Sequence, residues 1–487
     1  MGKGTDLTKG RAEQMKKVLV LDIGKTSGKA LLCSYENKSF AATTVHCFAG
    51  TTVNNGGKSY RNIEGLLKEI DRALDKAQIY GFDAVSVNAL GDDFVLADKN
   101  GNLLLKPLVK QEPLTEKERE EIGKKITEQE LYMRSGVIQK KFGTLYRLLS
   151  VQAREPALIA KASSFMMIAD LINYHLTGKQ VCEYTSAAST GLVDLKVGDW
   201  SYDTINLLGF PKKLFGKIAK PGERIGTLKG SYADKEIPVF AAPSYGDAAA
   251  IMAVPSTEKK FAYIDCGERS VMGTELTAPV ITDKTFGDRL SNCGGCGGAV
   301  VFSQKTTGTY FLQECRRYFN SNGEVFTFND MEAFAKSAPP FVAKINLRDP
   351  SFNKSGNMPQ KVQNYCETTG QTKPKSIAQT LRIIYESIAA DFSVALEEME
   401  RITADTYPSV YVFGGGSKDS FLCQLIANAT GRTVVAGPTD AVAIGNAMSS
   451  LMALGEIKNA VQARSIVRRG EDIREFVPEM YDGDGRR

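Results

Sequence analysis

With 487 residues, 43% of them hydrophobic and 24% charged, the chain has room for about three domains or two large ones, and its composition excludes a disordered protein. The formal charge of +5 is small for this length and no basic run interleaves with aromatics, which argues against nucleic acid as a partner. Nor does any run of about 20 apolar residues offer a membrane span.

Residues 1–14 are polar, lack the apolar core of a signal peptide, and are expected to form a disordered leader ahead of a domain starting near Met15. KVLVLDIGKTSGKALLCSY then reads as strand, glycine-rich turn, strand. Val18, Leu19, Val20 and Leu21 run into Asp22 and Gly24, and the apolar pattern resumes at Ala30. A helix is predicted over 62–78, where Ile63, Leu66, Leu67, Ile70, Leu74 and Ala77 share a face. Strands follow at 84–87 and 94–97. The charge-rich stretch 106–141 holds a surface helix opened by a Thr115 and Glu118 capping box. Residues 164–176 read as a buried helix stopped by Gly178, with His175 as a structural residue.

A strand over 237–242 ends at Pro243, and a small-residue helix begins beside Asp247. That junction is the usual location of chemistry in open α/β proteins. Asp also caps helices well, so the junction alone leaves both readings open.

Past Pro255 the opening pattern restarts. Asp265, Gly267 and Ser270 repeat Asp22, Gly24 and Ser27 at a constant offset, which suggests two related halves, each beginning with a hairpin. The second half carries glycine-rich SNCGGCGGAV, a helix over 310–319 and a loop-dominated stretch over 336–374. A long helix over 376–402 follows, with a Ser376 and Gln379 capping box. A strand at 409–413 opens into Gly414, Gly415 and Gly416, then come a helix to about 429, a strand at 433–436 and a helix over 440–454. The tail beyond Gly470 is charged and expected to be mobile.

The turn Asp22–Lys29 has two glycines, two hydroxyls and two lysines, a set able to turn backbone N–H groups towards a phosphate. It is not a P-loop: three residues separate its glycines, and Ala30 stands where Ser or Thr belongs. A carboxylate ending a buried strand needs a partner or a cation, which makes Asp22 a magnesium candidate. The three glycines at 414–416 let a flat ligand lie against the backbone ahead of a helix N-terminus, where anions are favoured. Cys293 and Cys296 form a CxxC, but with only His46 and His175 in the chain, four zinc ligands are hard to assemble. The nine cysteines, scattered from Cys33 to Cys423, suit reduced thiols and a cytoplasmic protein.

Taken together, DIGKTSGK, GDDFVLAD (91–98), FGTLYRL (142–148), HLTGK (175–179), EYTSAAST (183–190), FLQECRR (311–317) and the run from GGGSKDS to AGPTDAVAIGN (414–446) resemble the FGGY carbohydrate kinases, most closely their rhamnulokinase branch. The resemblance implies an α/β fold of two actin-like, ribonuclease-H-type ATPase domains, over 15–255 and 256–470, with the active site in the cleft between them. It implies ATP and Mg2+ as cofactors and transfer of the γ-phosphate to a hydroxyl of a ketose or related small-molecule sugar. Asp247 would be the catalytic base. Asp22 would hold the metal, and Gly24, Lys25, Thr26, Ser27, Gly28 and Lys29 would cradle phosphates. Gly267, Glu268, Gln313, Gly414, Gly415 and Gly416 would complete the nucleotide site, while Gly91, Asp93, Tyr245 and Gly246 would meet the sugar. A monomer or homodimer is expected, with no nucleic-acid or membrane partner.

Several family residues are replaced. Gly246 and Ala248 stand where rhamnulokinases carry His and Thr around the catalytic Asp. Asn88, Ala89, Leu90 and Gly91 replace an Asp-Thr-Trp-Gly motif, and Lys110, Gln111 and Glu112 replace Tyr-Arg-Asp. Gly267, Glu268 and Arg269 replace Gly-Thr-Trp, and Asn292 to Gly295 replace Asn-Glu-Gly-Gly. These changes predict a different sugar. They also leave an alternative, a weakened kinase-like protein that senses sugar or nucleotide, and a third reading, an actin-like ATPase that needs no sugar.

Overall fold

The computed structural model describes residues 15–89, 91–109, 112–470 and 472–479. The expected leader, Leu90, Lys110, Gln111 and the tail after 479 lie outside the described residues. Two twisted sheets carry the chain, and each starts with the hairpin the repeat predicts. The first has six strands in the order Arg224–Thr227, Pro238–Phe240, Ala84–Ala89, Lys16–Ile23, Ser27–Glu36, Ser39–Ala49. The second has seven, in the order Leu290–Gly294, Val300–Thr306, Ser270–Leu276, Ala262–Asp265, Ser409–Phe413, Thr433–Ala436, Arg474–Phe476. In both, antiparallel strands flank the first strand on one side and parallel strands on the other. This is the two-domain α/β architecture that the resemblance implies.

Register explains why both first strands bring a carboxylate to the same place. Val18, Leu19, Val20 and Leu21 are no more than 1% exposed, as expected of a central strand covered on both faces. Asp22 comes next, aligned with Asn88 of the parallel neighbour, and Asp265 is aligned with Phe413. Both carboxylates therefore lie at the carboxyl ends of parallel strands, where open α/β sheets build their sites.

The predicted helix at 62–78 is Ile63–Gln78, with Asn62 accepting from the Gly65 N–H. The Thr115 and Glu118 box opens Glu116–Gly123, and a second box, Thr127 with Glu130, opens Glu128–Ser135. Some stretches differ from expectation. Ser164–Met167 is a strand paired with Phe94–Ala97, and the helix begins only at Ile168; a short apolar run has no period that separates the two. The stretch read as loop contains the helix Met358–Thr368, started by Asn357 and by Pro359 in its first turn. Helix Ile377–Thr403 keeps only half of its box, because the Gln379 side chain accepts from the Lys375 N–H instead of the Ser376 N–H. Ser376→Ala should still cost about 1 kcal/mol, read as a lower urea midpoint with unchanged slope.

The last helices tie the halves together. Ala441–Ala453 packs against both Gly246–Ile251 and the Lys16–Ile23 strand, and Asn446 Nδ2 donates to the Pro243 carbonyl at 3.0 Å. Helix Ala460–Gly470 adds two arginines that hold the connection between the halves: Arg464 donates to the Ile251 carbonyl and Arg468 to that of Pro255, each at 3.0 Å. Within the stretch read as tail, Arg474–Phe476 pairs with Thr433–Ala436. No helix among the described residues is long and apolar enough to cross a membrane.

Candidate active site

After Phe240 the chain leaves the sheet, and the short helix Gly246–Ile251 begins with Tyr245 as its cap residue. Asp247 lies inside the first turn and caps nothing. It is 7% exposed, and its Oδ2 is buried with no hydrogen-bond partner. An unpartnered carboxylate oxygen costs roughly 1–3 kcal/mol or more, so the fold holds a strong acceptor ready for a donor from outside. Burial pushes the Asp247 carboxyl above the usual range, while the charges of Lys140 and Lys305 and the nearby Tyr263 hydroxyl, which has no hydrogen-bond partner among the described residues, pull it back.

Asp265 approaches from the other half. Burial, and then the Asp247 charge, raise its carboxyl too. Asp22 is also raised by burial. One of its oxygens accepts from Asn88 Nδ2 at 2.8 Å, and the other faces the Lys29 ammonium at 3.6 Å. Lys29 in turn reaches across to Asp440 of the second half at 2.5 Å.

A cavity of about 500 Å³ is lined from the first half by Asp92, Lys140 and Tyr245 and from the second by Arg289, Cys293 and Lys305; Asp247 does not line it but feels the charges of its Lys140 and Lys305. Lys140 Nζ meets both Asp92 oxygens at 3.1 Å. Burial and the repulsion of Lys140 pull the Lys305 ammonium down to about 8. Of the four expected sugar residues, Tyr245 lines this cavity, Gly91 lies against the Tyr245 ring, and the space beyond the Gly246 Cα is open. Asp93 does not line it. Its carboxylate is taken up by the Arg61 and Arg147 guanidiniums, the second at 2.7 Å. Glu112, from the replaced Tyr-Arg-Asp motif, pairs with Lys58 and Arg154 at 2.9 Å.

The expected phosphate turn projects Lys25, Thr26 and Ser27 into solvent, and a second cavity is lined by Asp22, Gly24, Ser27, Gly28 and Lys29. Gly28 has a packing reason as well: a Cβ there would fall 2.2 Å from the Phe48 ring. On the opposite half, Gly267 is braced by Ser270 and Thr309, which both hydrogen-bond its carbonyl. Gly414 has φ +78°, and a Cβ on it would meet Asp265 Oδ1 at 2.9 Å. Gly416 comes so close to Cys266 that a Cβ would fall 2.2 Å from its sulfur, and Gly415 has open space. Glu268, the acid in an expected nucleotide motif, is half exposed and pairs with Arg317 at 3.0 Å. Gln313 is half-buried in helix Tyr310–Ser321.

Asp265, Asp92, Lys140 and Lys305 were not among the expected site residues. The internal repeat carried the signal for Asp265, as the counterpart of Asp22. Nothing local marks the two lysines, which converge from 165 positions apart only because the halves face each other.

Two family models match the chain: the N-terminal domain of the FGGY family of carbohydrate kinases over residues 17–251, and its C-terminal domain over residues 262–454. The rhamnulokinase of Oceanobacillus iheyensis is 32% identical over 470 residues, covering 96% of this chain and 99% of the relative. Among solved structures, the xylulose kinase of Lactobacillus acidophilus superposes with a TM-score of 0.77 at 18% identity, covering 95% of this chain and 94% of that one. The gluconate kinase of the same organism also gives 0.77 at 18% identity, with 96% and 94% covered.

Proposed function

We propose that this chain, which belongs to the FGGY family of carbohydrate kinases, transfers the γ-phosphate of ATP to a hydroxyl of a ketose or related sugar, with Asp247 as general base. One observation carries the assignment: Asp247 Oδ2 is buried and unpartnered, within reach of the charges of Lys140 and Lys305, which line a cavity shared by both halves. Its raised basicity fits it to accept the proton of an attacking hydroxyl near neutral pH. Lys140 and Lys305 would favour negative charge at the transferring group, where phosphoryl transfer is accelerated by positioning and electrostatics.

A magnesium ion fits the donors available. Asp22 and Asp265 offer hard oxygens at the matching strand ends of the two halves, both in half-buried positions. Among the described residues no three Asp, Glu, His or Cys side chains cluster to hold a metal alone, which suits Mg2+, whose shell is completed by phosphate oxygens and water. When bound, such an ion would neutralise charge on the phosphates. The turns at Gly24–Lys29 and Gly414–Gly416 are the proposed phosphate and adenosine supports. Pairing of Glu268 with Arg317 removes the objection that a free acid would repel the nucleotide.

The sugar is a separate question, since xylulose and gluconate kinases share this architecture and fold alone does not choose an acceptor. The relative at 32% identity makes rhamnulose the first sugar to test. Open space at Gly246 and commitment of Asp93 to two arginines favour an acceptor of different shape. ADP release from Mg-ATP should depend on one sugar in a ketose, aldose and polyol panel. Rapid ATP hydrolysis indifferent to sugar would overturn the kinase reading in favour of an ATPase. Sugar or nucleotide binding by calorimetry with no turnover would do so in favour of a sensor, which the comparisons do not support.

A further inference from the structure

Pro243, Ser244 and Tyr245 join the last strand of the first sheet to the helix carrying Asp247, and they pair with no strand. Their buried backbone groups must find partners elsewhere. Glu183 and Thr185, about sixty residues earlier, supply them. Both are 0% exposed. Thr185 Oγ1 accepts from the N–H groups of Ser244 and Tyr245 at 3.0 Å, and donates to Glu183 Oε2 at 2.6 Å. Glu183 Oε2 also accepts from the Ser244 N–H at 3.1 Å.

The ordinary role of Glu183 is to cap the six-residue helix Tyr184–Ser189, and its bonds from the Thr185 and Ser186 N–H groups do that. A cap does not account for the bonds to Ser244 and Tyr245. Nor does it account for burying a carboxylate whose partners are all N–H and hydroxyl groups, beside a second buried carboxylate, Asp170, which accepts from the Glu183 N–H at 2.8 Å. Burial raises both carboxyls. Such an arrangement is costly unless every acceptor is used. On the far side, the Cys293 thiol donates to the Thr185 carbonyl at 3.5 Å, linking the same short helix to the second half.

We infer that Glu183 and Thr185 are positioning residues for phosphoryl transfer: they clamp the Ser244–Tyr245 backbone and so aim the Asp247 carboxylate into the cleft. The inference rests on the kinase reading for its catalytic consequence, and on the hydrogen bonds alone for the clamp.

Thr185→Val keeps the shape and removes the oxygen, whereas Thr185→Ser keeps the oxygen. With the sugar that turns over best, Thr185→Val should lower kcat about 10- to 100-fold, the scale of a small misplacement of a catalytic group. KM for ATP should stay within about two-fold, because no nucleotide contact is touched. Hydrogen exchange at the Ser244 and Tyr245 amides should speed up in Thr185→Val, and Thr185→Ser should restore both exchange and kcat. If Thr185→Val does not fold, Glu183→Gln, which keeps one acceptor oxygen, takes its place with the same readouts. Unchanged exchange, a kcat within two-fold of the parent, or equal damage from Ser and Val would overturn the inference. If the parent chain shows no sugar-dependent turnover, the kinase reading fails; faster exchange in Thr185→Val then still upholds the clamp, and unchanged exchange overturns it.

Discussion

Asp247→Asn should abolish most sugar-dependent ADP release, lowering kcat by about 10²- to 10⁴-fold, the range a positioned general base contributes. The substitution preserves volume and removes the negative charge and with it the ability to take a proton. Because Oδ2 has no partner in the fold, the amide disturbs no hydrogen bond of that oxygen, and stability should stay close to that of the parent or rise slightly as a buried charge is lost. Nucleotide affinity should be nearly unchanged, so the loss falls on kcat. The parent enzyme supplies an independent check through pH. A base works only when ionised, and burial raises the Asp247 carboxyl above the ordinary range. Activity should therefore fall as pH drops through a midpoint higher than that of a solvated aspartate, with the limb absent from the residual activity of Asp247→Asn. Retention of more than a tenth of the parent kcat by Asp247→Asn would remove Asp247 from the proton-transfer step.

Elements with a strong local signal were legible in the sequence. Strands 94–97, 409–413 and 433–436 have the predicted bounds, because turn residues bracket each short apolar run. The repeat of Asp22, Gly24 and Ser27 foretold the matching hairpins. What was not legible depends on distant parts of the chain. Ser164–Met167 becomes a strand because Phe94–Ala97 offers it an edge, and Asp93 is withdrawn from the cavity because Arg61 and Arg147 converge on it. Helix Met358–Thr368 hid in a polar stretch where its cap signals, Asn357 and Pro359, and its narrow apolar stripe of Met358, Val362 and Cys366 were easily passed over. Departures from family motifs also read differently once placed. Glu268, an acid where the family motif has Thr, is paired with Arg317, whereas Gly246 leaves real space beside the base.

The largest structural effect should come from a substitution that sequence rules would recommend. Gly445 sits in the middle of helix Ala441–Ala453, where Gly→Ala ordinarily gains about 0.8–1 kcal/mol of helix propensity. Here an added Cβ would fall 1.8 Å from the Ala249 carbonyl oxygen, 2.7 Å from its carbon and 3.2 Å from the Met252 Cβ. The first two are backbone atoms of the helix turn that carries Asp247, so no rotamer change relieves the overlap and one helix must move. Overpacking of this kind costs about 1–3 kcal/mol even where side chains can yield, which already exceeds the propensity gain. Gly445→Ala should therefore melt lower than the parent. It should also lose at least about ten-fold in kcat, because the displaced helix takes the base with it. Gly123→Ala supplies the contrast: no atom lies within 4 Å of its Cβ position, and it closes a helix without a positive φ, so stability and turnover should hold or improve. A Gly445→Ala chain as stable and active as Gly123→Ala would mean that the two helices are not in backbone contact. The small-residue run AVAIGNAMSS would then need an explanation other than close approach of the halves around Asp247.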